Sequence, residues 1–423
     1  MTVSAAILAG GKGTRSANPE QAKLAQVIDG KSLLEWHLQT LHQSGIQHVL
    51  VIAGHLSEQV QHICSQVDPA GLELQVVTEA EQQGTVSAAV LAAEQTDNDL
   101  LIVLGDILMA FPVQDFINQW RASDRSVAVV VHPSRHPEDS DAVVRRHSGQ
   151  VDVVSKSLPR QHLPNMSSAG IFAISQTGLR KYAHLKDFGS DVLPAAADSD
   201  DLFAFVSSHY FKDTGTASRL HDARDDVNSG AFARRGALQD RPALLLDRDG
   251  VLNPDDSTAA SADTYHLLPG VARQIARAND RGIPVIVVTN QPAIAKGWLT
   301  FAAHESVRAR MDELLALQGA FVDDYWFCPH HPDMGFTDEV PELKVQCQCR
   351  KPSPGLARGA AAAHRLDLSQ SVLVGDSDRD RGLAEATGMQ FVHVSPDCHE
   401  LEREDCYADA QTAIARALEI LGC

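Results

Sequence analysis

No apolar run in this sequence approaches the roughly 18 residues that a membrane-spanning helix requires. Positive charge is also scarce: 36 Lys and Arg stand against 55 Asp and Glu, a formal net charge of −19. That balance argues against a nucleic-acid-binding surface and against docking on anionic lipid. It leaves room for small anionic substrates, because a bound metal or a local Lys or Arg reverses the field inside a site. No basic side chain precedes the short apolar run in Met1-Thr2-Val3-Ser4-Ala5-Ala6-Ile7-Leu8, so a signal peptide is not expected. Internal repeats and low-complexity tracts are lacking. Cysteine is sparse, seven in 423 residues, and three of the seven cluster with histidines, which suggests metal ligation rather than disulfides. The expectation is a soluble cytoplasmic protein with no nucleic-acid or membrane partner; a homo-oligomer is compatible with the sequence.

What is present has globular proportions, 44% hydrophobic and 22% charged residues, and a length that suggests two domains or three. Short apolar runs alternate with longer amphipathic segments. Val3 to Leu8, Val49 to Ala53, Leu72 to Val77, Leu100 to Leu104 and Val127 to Val131 read as buried strands, with a helix over Leu33 to Gln43. A second series starts at Leu244 and continues with Val285 to Thr289, Val372 to Gly375 and Phe391 to Val394. Strand–helix alternation of this kind predicts an α/β class with mostly parallel sheets. Between the series lies a polar stretch of mixed charge containing Asn228-Ser229-Gly230. The expected division is a first domain over 1–228, a linker over 229–241 and a second domain over 242–423.

The stretch Leu244-Leu245-Leu246-Asp247-Arg248-Asp249-Gly250 ends an apolar strand in two carboxylates two positions apart. Alternation along a strand puts Asp247 and Asp249 on one face, at the carboxyl end where open parallel sheets place their ligands. Two carboxylates there can hold Mg²⁺, and one can attack phosphorus. A strand running into an Asx-type turn is the other reading of these residues alone.

In the first domain, Ala6-Ile7-Leu8-Ala9-Gly10-Gly11-Lys12-Gly13-Thr14-Arg15 is a strand followed by a glycine-rich basic loop. Glycines let backbone N–H groups approach phosphates, and Lys12 and Arg15 add positive charge. The spelling is neither Gly-x-Gly-x-x-Gly nor a P-loop. Leu8 to Arg15 resembles the opening of the nucleotidyltransferases that join a sugar 1-phosphate to a nucleoside triphosphate. Lys23, Gly30 to Glu35, Gln83-Gly84-Thr85, Leu104-Gly105-Asp106, Ser168-Ala169-Gly170-Ile171 and Lys212 to Thr216 follow in that family's order. The resemblance spans residues 1–220. It implies a Rossmann-like domain with a mixed, mostly parallel sheet, in which Gly10, Gly11, Arg15 and Lys23 grip the triphosphate. It further implies that Gly84 and Thr85 receive base and sugar and that Asp106 and Asp213 hold Mg²⁺. The segments His132-Pro133, His136-Pro137, Asp139-Ser140-Asp141 and Asp187 to Pro194 resemble heptose 1-phosphate guanylyltransferases, which favours GTP over ATP or CTP.

In the second domain, the strand ending Thr289-Asn290-Gln291 offers hydroxyl and amide donors, Arg350-Lys351 pairs two cations, and Val372 to Gly375 runs into Asp376. Four such strand-end signals resemble the haloacid-dehalogenase (HAD) phosphatase superfamily. The resemblance implies Asp247 as nucleophile, Asp249 as general acid and base, and Mg²⁺ held by Asp247, Asp376 and the Asp249 backbone carbonyl. Thr289, Asn290, Gln291 and Arg350 would contact substrate, and Lys351 would neutralise the transferring phosphoryl. Cys328-Pro329-His330-His331-Pro332 followed by Cys347-Gln348-Cys349 offers three thiolates and one imidazole, a closed tetrahedral set suited to structural Zn²⁺. Either His330 or His331 fits by spacing; the family pattern favours His330. The zinc-bearing branch includes heptose 1,7-bisphosphate 7-phosphatases and histidinol-phosphate phosphatases, and Thr289 to Gly297 and Cys349 to Gly355 look like the former. A capless HAD-like Rossmannoid domain with a zinc loop is expected. Three residues depart from the pattern: Val251, Pro292-Ala293, and Ser377 in place of a common lysine.

Combined, the resemblances imply a bifunctional enzyme for sugar phosphates and a nucleoside triphosphate, in which a phosphatase product feeds a transferase making a nucleotide-activated heptose for surface polysaccharide. The rivals are a histidinol-phosphate phosphatase fused to another sugar nucleotidyltransferase, and a phosphatase carrying a nonenzymatic sugar-nucleotide sensor. Trp36, Trp120, Trp298 and Trp326 read as packing anchors. Cys64, Cys398, Cys406 and Cys423 read as ordinary thiols.

Overall fold

The computed structural model describes residues 2–11, 20–69, 71–146, 149–158, 163–236, 238–256, 260–398 and 405–422. The chain divides into two compact units. The first comprises Met1–His132, Ser140–Leu158 and Ser167–Gly236; the second comprises Pro133–Asp139, Pro159–Met166 and Ala237–Cys423. The guanylyltransferase-like segment around His136 therefore falls in the second unit. Among the described residues no helix is long and apolar enough to cross a membrane.

A nine-stranded mixed sheet forms the centre of the first unit. Its strand Val3–Leu8 lies between two parallel neighbours, with Ala5 opposite both Val49 and Leu101. Ala5, Ala6 and Ile7 are fully buried. A strand covered on both faces has no reason to alternate, and this one is apolar on both sides apart from Ser4, whose buried hydroxyl lies 3.0 Å from His48 Nδ1. Ser167–Ile174 pairs antiparallel with Asp99–Leu104 and carries Val127–His132 on its far side, making the sheet mixed. The helix Leu33–Gln43 has the bounds expected of it. It starts at Ser32, whose hydroxyl accepts from Glu35 N while the Glu35 carboxylate takes the Ser32 N–H, a reciprocal cap. Leu34, Leu38 and Leu41 form its stripe toward the core.

Two features differ from the sequence expectation. Ile107–Ala110 and Tyr210–Asp213 form a separate antiparallel ribbon that sets Asp213 opposite Ile107, one residue past Asp106. The stretch read as a linker contains a short helix, Ala231–Gly236. Its Phe232 ring packs edge-on against Trp36 and Tyr210, with centroids 4.9 Å away in each case.

The second unit is built on a six-stranded parallel sheet in the order Asp324–Cys328, Val285–Asn290, Leu244–Leu246, Val372–Gly375, Gln390–Val394, Cys406–Tyr407. Leu244 and Leu246 enter one core and Leu245 the other, as alternation requires of a central strand. Cys398 and Cys406 are not separate thiols, as the sequence reading had them; they form a disulfide. Trp298 is not a packing anchor either, being 66% exposed, whereas Trp36 and Trp120 are buried.

Candidate active sites and a candidate metal centre

A cavity of about 320 Å³ opens at the carboxyl ends of the first unit's parallel strands. Gly10 and Gly11 follow Val3–Leu8, His55 and Leu56 follow His48–Ala53, Glu79 and Gln82 follow Glu73–Thr78, and Asp106 follows Asp99–Leu104. This is where open α/β sheets bind ligands. Lys23, Gly84, Thr85 and Asp187 complete the wall. Thr85 opens the helix Thr85–Ala93, donates to Asp187 Oδ2 at 2.9 Å and accepts from Phe188 N at 2.8 Å. Lys12 and Arg15 lie outside the described residues.

Asp106 and Asp213, 107 positions apart in sequence, converge. A Cβ at Gly215 would stand 2.8 Å from Asp213 Oδ1, 3.2 Å from Asp106 Oδ2 and 3.7 Å from Lys23 Nζ. Lys23 also ion-pairs with Asp106, and Arg219 with Asp213. Two carboxylates aimed at one point fit a divalent cation. Arg219 is absent from the sequence reading; it sits six residues past Asp213 on the helix Ala217–Asn228, where no local pattern marks it. Ser168 lies on the strand Ser167–Ile174 and accepts from Gly170 N at 3.2 Å.

The second unit gathers its site around Lys351. This buried ammonium donates to Asp247 Oδ2 at 2.8 Å, Asp380 Oδ1 at 2.6 Å and Val288 O at 3.0 Å. Burial opposes the charge, but Asp247 and Asp380 outweigh it and raise the Lys351 pKa. Asp247, Asp376 and Asp380 present oxygens all within 4.8 Å of one another. Burial is the main reason the Asp247 carboxyl is pushed up to about 7 and Asp376 to about 6, with the Asp380 charge adding to both. Such crowding of acids is relieved by a divalent cation, so the donor set fits Mg²⁺. Asp380 is an addition to the residues expected from sequence. Its position four residues after Asp376, at the start of a helix, was the available signal.

Local sequence explains how these groups meet. The strand ends at Leu246, so a turn rather than alternation places Asp249. Gly250 makes the turn with φ +77°, and a Cβ there would stand 2.0 Å from Asp376 Oδ2. Only glycine lets Asp376 approach. Ser377, the departure from a common lysine, caps the helix Asp378–Thr387, and its hydroxyl donates to Asp380 Oδ2 at 2.5 Å. Val251 is fully buried in the core. Pro292 opens the helical turn Pro292–Ala295, a position that suits its missing N–H. Asn290 holds the Lys351 backbone in both directions, at 3.1 and 3.0 Å. Gln291 donates to Thr289 Oγ1 at 3.0 Å and Asp249 Oδ2 at 2.9 Å. Arg350 donates to His330 O at 3.3 Å.

Cys328, His330, Cys347 and Cys349 form a second cluster, with ligand atoms within 4.8 Å of one another. Cys349 Sγ lies 3.3 Å from Cys328 Sγ, 3.2 Å from Cys347 Sγ and 3.3 Å from His330 Nδ1. His330, not His331, faces the cluster. The hydrogen bond between Cys328 and Cys349 pulls the Cys349 thiol down to about 5, with Cys347 and His330 adding to it, and pushes Cys328 up. Thiols already sharing protons at this range fit a tetrahedral Zn²⁺.

Comparison with known proteins finds two separate families along the chain. Residues 4–230 match the nucleotidyl transferase family. The chain belongs to that family. Residues 348–420 match the HAD-hydrolase-like family. A D-glycero-β-D-manno-heptose-1,7-bisphosphate 7-phosphatase of Yersinia pestis is 36% identical over 151 residues, 36% of this chain and 78% of the relative. The Pseudomonas aeruginosa protein of the same name is 40% identical over 155 residues, covering 36% of this chain and 81% of the relative. A solved D,D-heptose 1,7-bisphosphate phosphatase from B. bronchiseptica, complexed with magnesium and phosphate, is 31% identical. It matches 42% of this chain and 98% of its own, with a TM-score of 0.37. The chain is therefore a nucleotidyl transferase joined to a HAD-like phosphatase.

Proposed function

We propose that the phosphatase unit removes the 7-phosphate of D-glycero-D-manno-heptose 1,7-bisphosphate and that the transferase unit joins the resulting heptose 1-phosphate to a nucleoside triphosphate, GTP being favoured. The product is a nucleotide-activated heptose for surface polysaccharide, made in the cytoplasm. The observation that carries this reading is the Asp247–Lys351–Asp380 cluster, in a unit over a third identical to named 7-phosphatases, on one chain with a transferase. The net charge of −19 argues against nucleic acid as a partner and leaves small phosphorylated substrates to local cations such as Lys23 and Lys351.

In the first step an Asp247 oxygen bonds to phosphorus, the bond to the sugar oxygen breaks, and that oxygen takes a proton from Asp249. In the second step a water oxygen bonds to phosphorus and gives its proton to Asp249 as the bond to Asp247 breaks. Lys351, with its donors on Asp247, Asp380 and Val288 O, fixes the nucleophile and balances its charge. Asp247, Asp376 and the Asp249 carbonyl would hold Mg²⁺, which supplies charge neutralisation when bound. In the transferase, an oxygen of the sugar phosphate bonds to the α-phosphorus and pyrophosphate leaves. The backbone at Gly10 and Gly11, with Lys23, neutralises the phosphates, and Asp106 and Asp213 would hold a second Mg²⁺. Cys328, His330, Cys347 and Cys349 would hold structural Zn²⁺.

Product analysis tests the whole reading. Heptose 1,7-bisphosphate incubated separately with each triphosphate should yield phosphate in every tube and GDP-heptose in the GTP tube. Much faster phosphate release from histidinol phosphate would overturn the substrate assignment. Failure to release pyrophosphate with any triphosphate and heptose 1-phosphate would leave the first unit as a sensor.

The raised carboxyls also set a pH dependence. Asp247 and Asp376 take up protons as pH falls through about 7 and about 6, and only their ionised forms bind a dication. Half-saturating Mg²⁺ for phosphate release should therefore rise by roughly an order of magnitude or more between pH 8 and pH 5.5. A constant value would mean that other groups bind the metal.

A further inference from the structure

Arg248 stands between the two active-site aspartates, and neither the resemblance nor the relatives assign it a role. It is 3% exposed. A guanidinium that deep costs several kcal/mol unless it is paired. Its partner is Asp249: Nε donates to Oδ1 at 2.9 Å and Nη2 to Oδ2 at 3.0 Å. Two neutral amides finish the set, Asn253 Nδ2 on Oδ1 at 2.9 Å and Gln291 Nε2 on Oδ2 at 2.9 Å. A carboxylate has about four lone-pair positions, and four donors meet this one. Behind the guanidinium, Nη1 reaches Tyr325 OH at 3.5 Å, and that hydroxyl is 3.1 Å from His304 Nε2.

We propose that Arg248 is the positioning residue for Asp249, an anchor that fixes the carboxylate while the neutral amides open to let a proton in and out. The inference rests on the phosphatase reading, in which Asp249 protonates the leaving oxygen and later deprotonates water. With its lone pairs met, Asp249 can exchange a proton only by releasing a donor. All four bonds end on a carboxylate, but only Arg248 adds a countercharge and two donors from one rigid group, so Asn253 or Gln291 opens first and Arg248 stays. The fork also defines the plane of the carboxylate, which an ammonium cannot do. A carboxylate left free to swing by about 1 Å loses on the order of 100-fold in rate.

The test uses the full chain and two substrates, heptose 1,7-bisphosphate and p-nitrophenyl phosphate, whose phenolate leaves without a proton. Arg248→Gln should lower kcat for the bisphosphate by on the order of 100-fold with KM nearly unchanged. Acylphosphate formation from p-nitrophenyl phosphate, read by rapid quench, should fall far less. Arg248→Lys should recover part of the loss, and Asn253→Ala should cost less than Arg248→Gln. Activity is expressed per folded molecule, from circular dichroism; if Arg248→Gln does not fold, Arg248→Lys and Asn253→Ala decide. Equal losses on both substrates in a folded Arg248 variant, or an Asn253→Ala defect larger than that of Arg248→Gln, would overturn the proposal. Wild-type protein that releases phosphate from neither substrate would sink the phosphatase reading itself. An active wild type with an unimpaired Arg248→Gln would sink only the anchor.

Discussion

Asp247→Asn is expected to stop phosphate release, by on the order of 10⁴-fold or more, while pyrophosphate release by the same molecules stays at the wild-type rate. The carboxamide keeps the shape of the side chain and loses the negative oxygen that we propose attacks phosphorus. The transferase residues Lys23, Asp106 and Asp213 belong to the other compact unit, so the substitution leaves them untouched. Stability distinguishes loss of chemistry from loss of fold. Burial raises the Asp247 carboxyl to about 7, well above its value in an unfolded chain. A carboxyl whose folded pKa is raised opposes folding progressively as pH climbs from the unfolded value to the folded one, and the full cost remains above it. Without metal at pH 8, a neutral Asn removes that cost. Lys351 keeps Asp380 and Val288 O as partners. The thermal midpoint of the metal-free variant should therefore equal or exceed that of the wild type at pH 8, with the gap closing toward pH 4. Parallel loss of both activities would show that the two reactions share machinery. A lowered midpoint would attribute the lost phosphatase activity to misfolding.

Much of this architecture is spelled locally. Strands buried on both faces, such as Val3–Leu8 and Val372–Gly375, are almost wholly apolar runs whose ends are marked by glycine or aspartate. The candidate metal cluster is legible because its residues come in two tight pairs, Cys328 with His330 and Cys347 with Cys349. What escaped depends on pairing at long range or on a turn. Arg219 meets Asp213 only because a helix folds back over the ribbon end. The Cys398–Cys406 disulfide depends on the strand Cys406–Tyr407 pairing with Gln390–Val394. The place of Arg248 is likewise not marked in the strand pattern. Strict alternation pairs Asp247 with Asp249 and sends the residue between them to the other side. The strand stops at Leu246, and the turn at Gly250 folds Asp249 back onto its neighbour. Strand periodicity locates the site; it does not describe the turn in which the chemistry sits.

Cys347→Ser should release zinc and melt the phosphatase unit at a lower temperature, while the transferase unit and its pyrophosphate release are retained. Residues 329–346 are otherwise ordered by a small cluster, in which Phe336 meets Trp298 and His331 and Lys344 pairs with Glu339. Most of their side chains are exposed, and their regular structure is the single turn Pro341–Leu343. Backbone bonds from His331 N to Leu343 O and from Val340 N to Ala295 O are among those that tie the loop. The four ligands therefore close a loop whose apolar burial is small. Small zinc sites bind with on the order of 10 kcal/mol, and in an otherwise folded unit a loss of about 4 kcal/mol would lower the midpoint by roughly 8–16 °C. Catalysis should suffer before the unit melts. Arg350 and Lys351 directly follow Cys349, and Arg350 leans on the carbonyl of His330. Once that segment loosens, Lys351 loses its fixed place between Asp247 and Asp380. A chelator should reproduce the variant, and added zinc should restore the wild type but not Cys347→Ser. One zinc per chain retained by the variant, or an unshifted midpoint after its removal, would take structural zinc out of this fold.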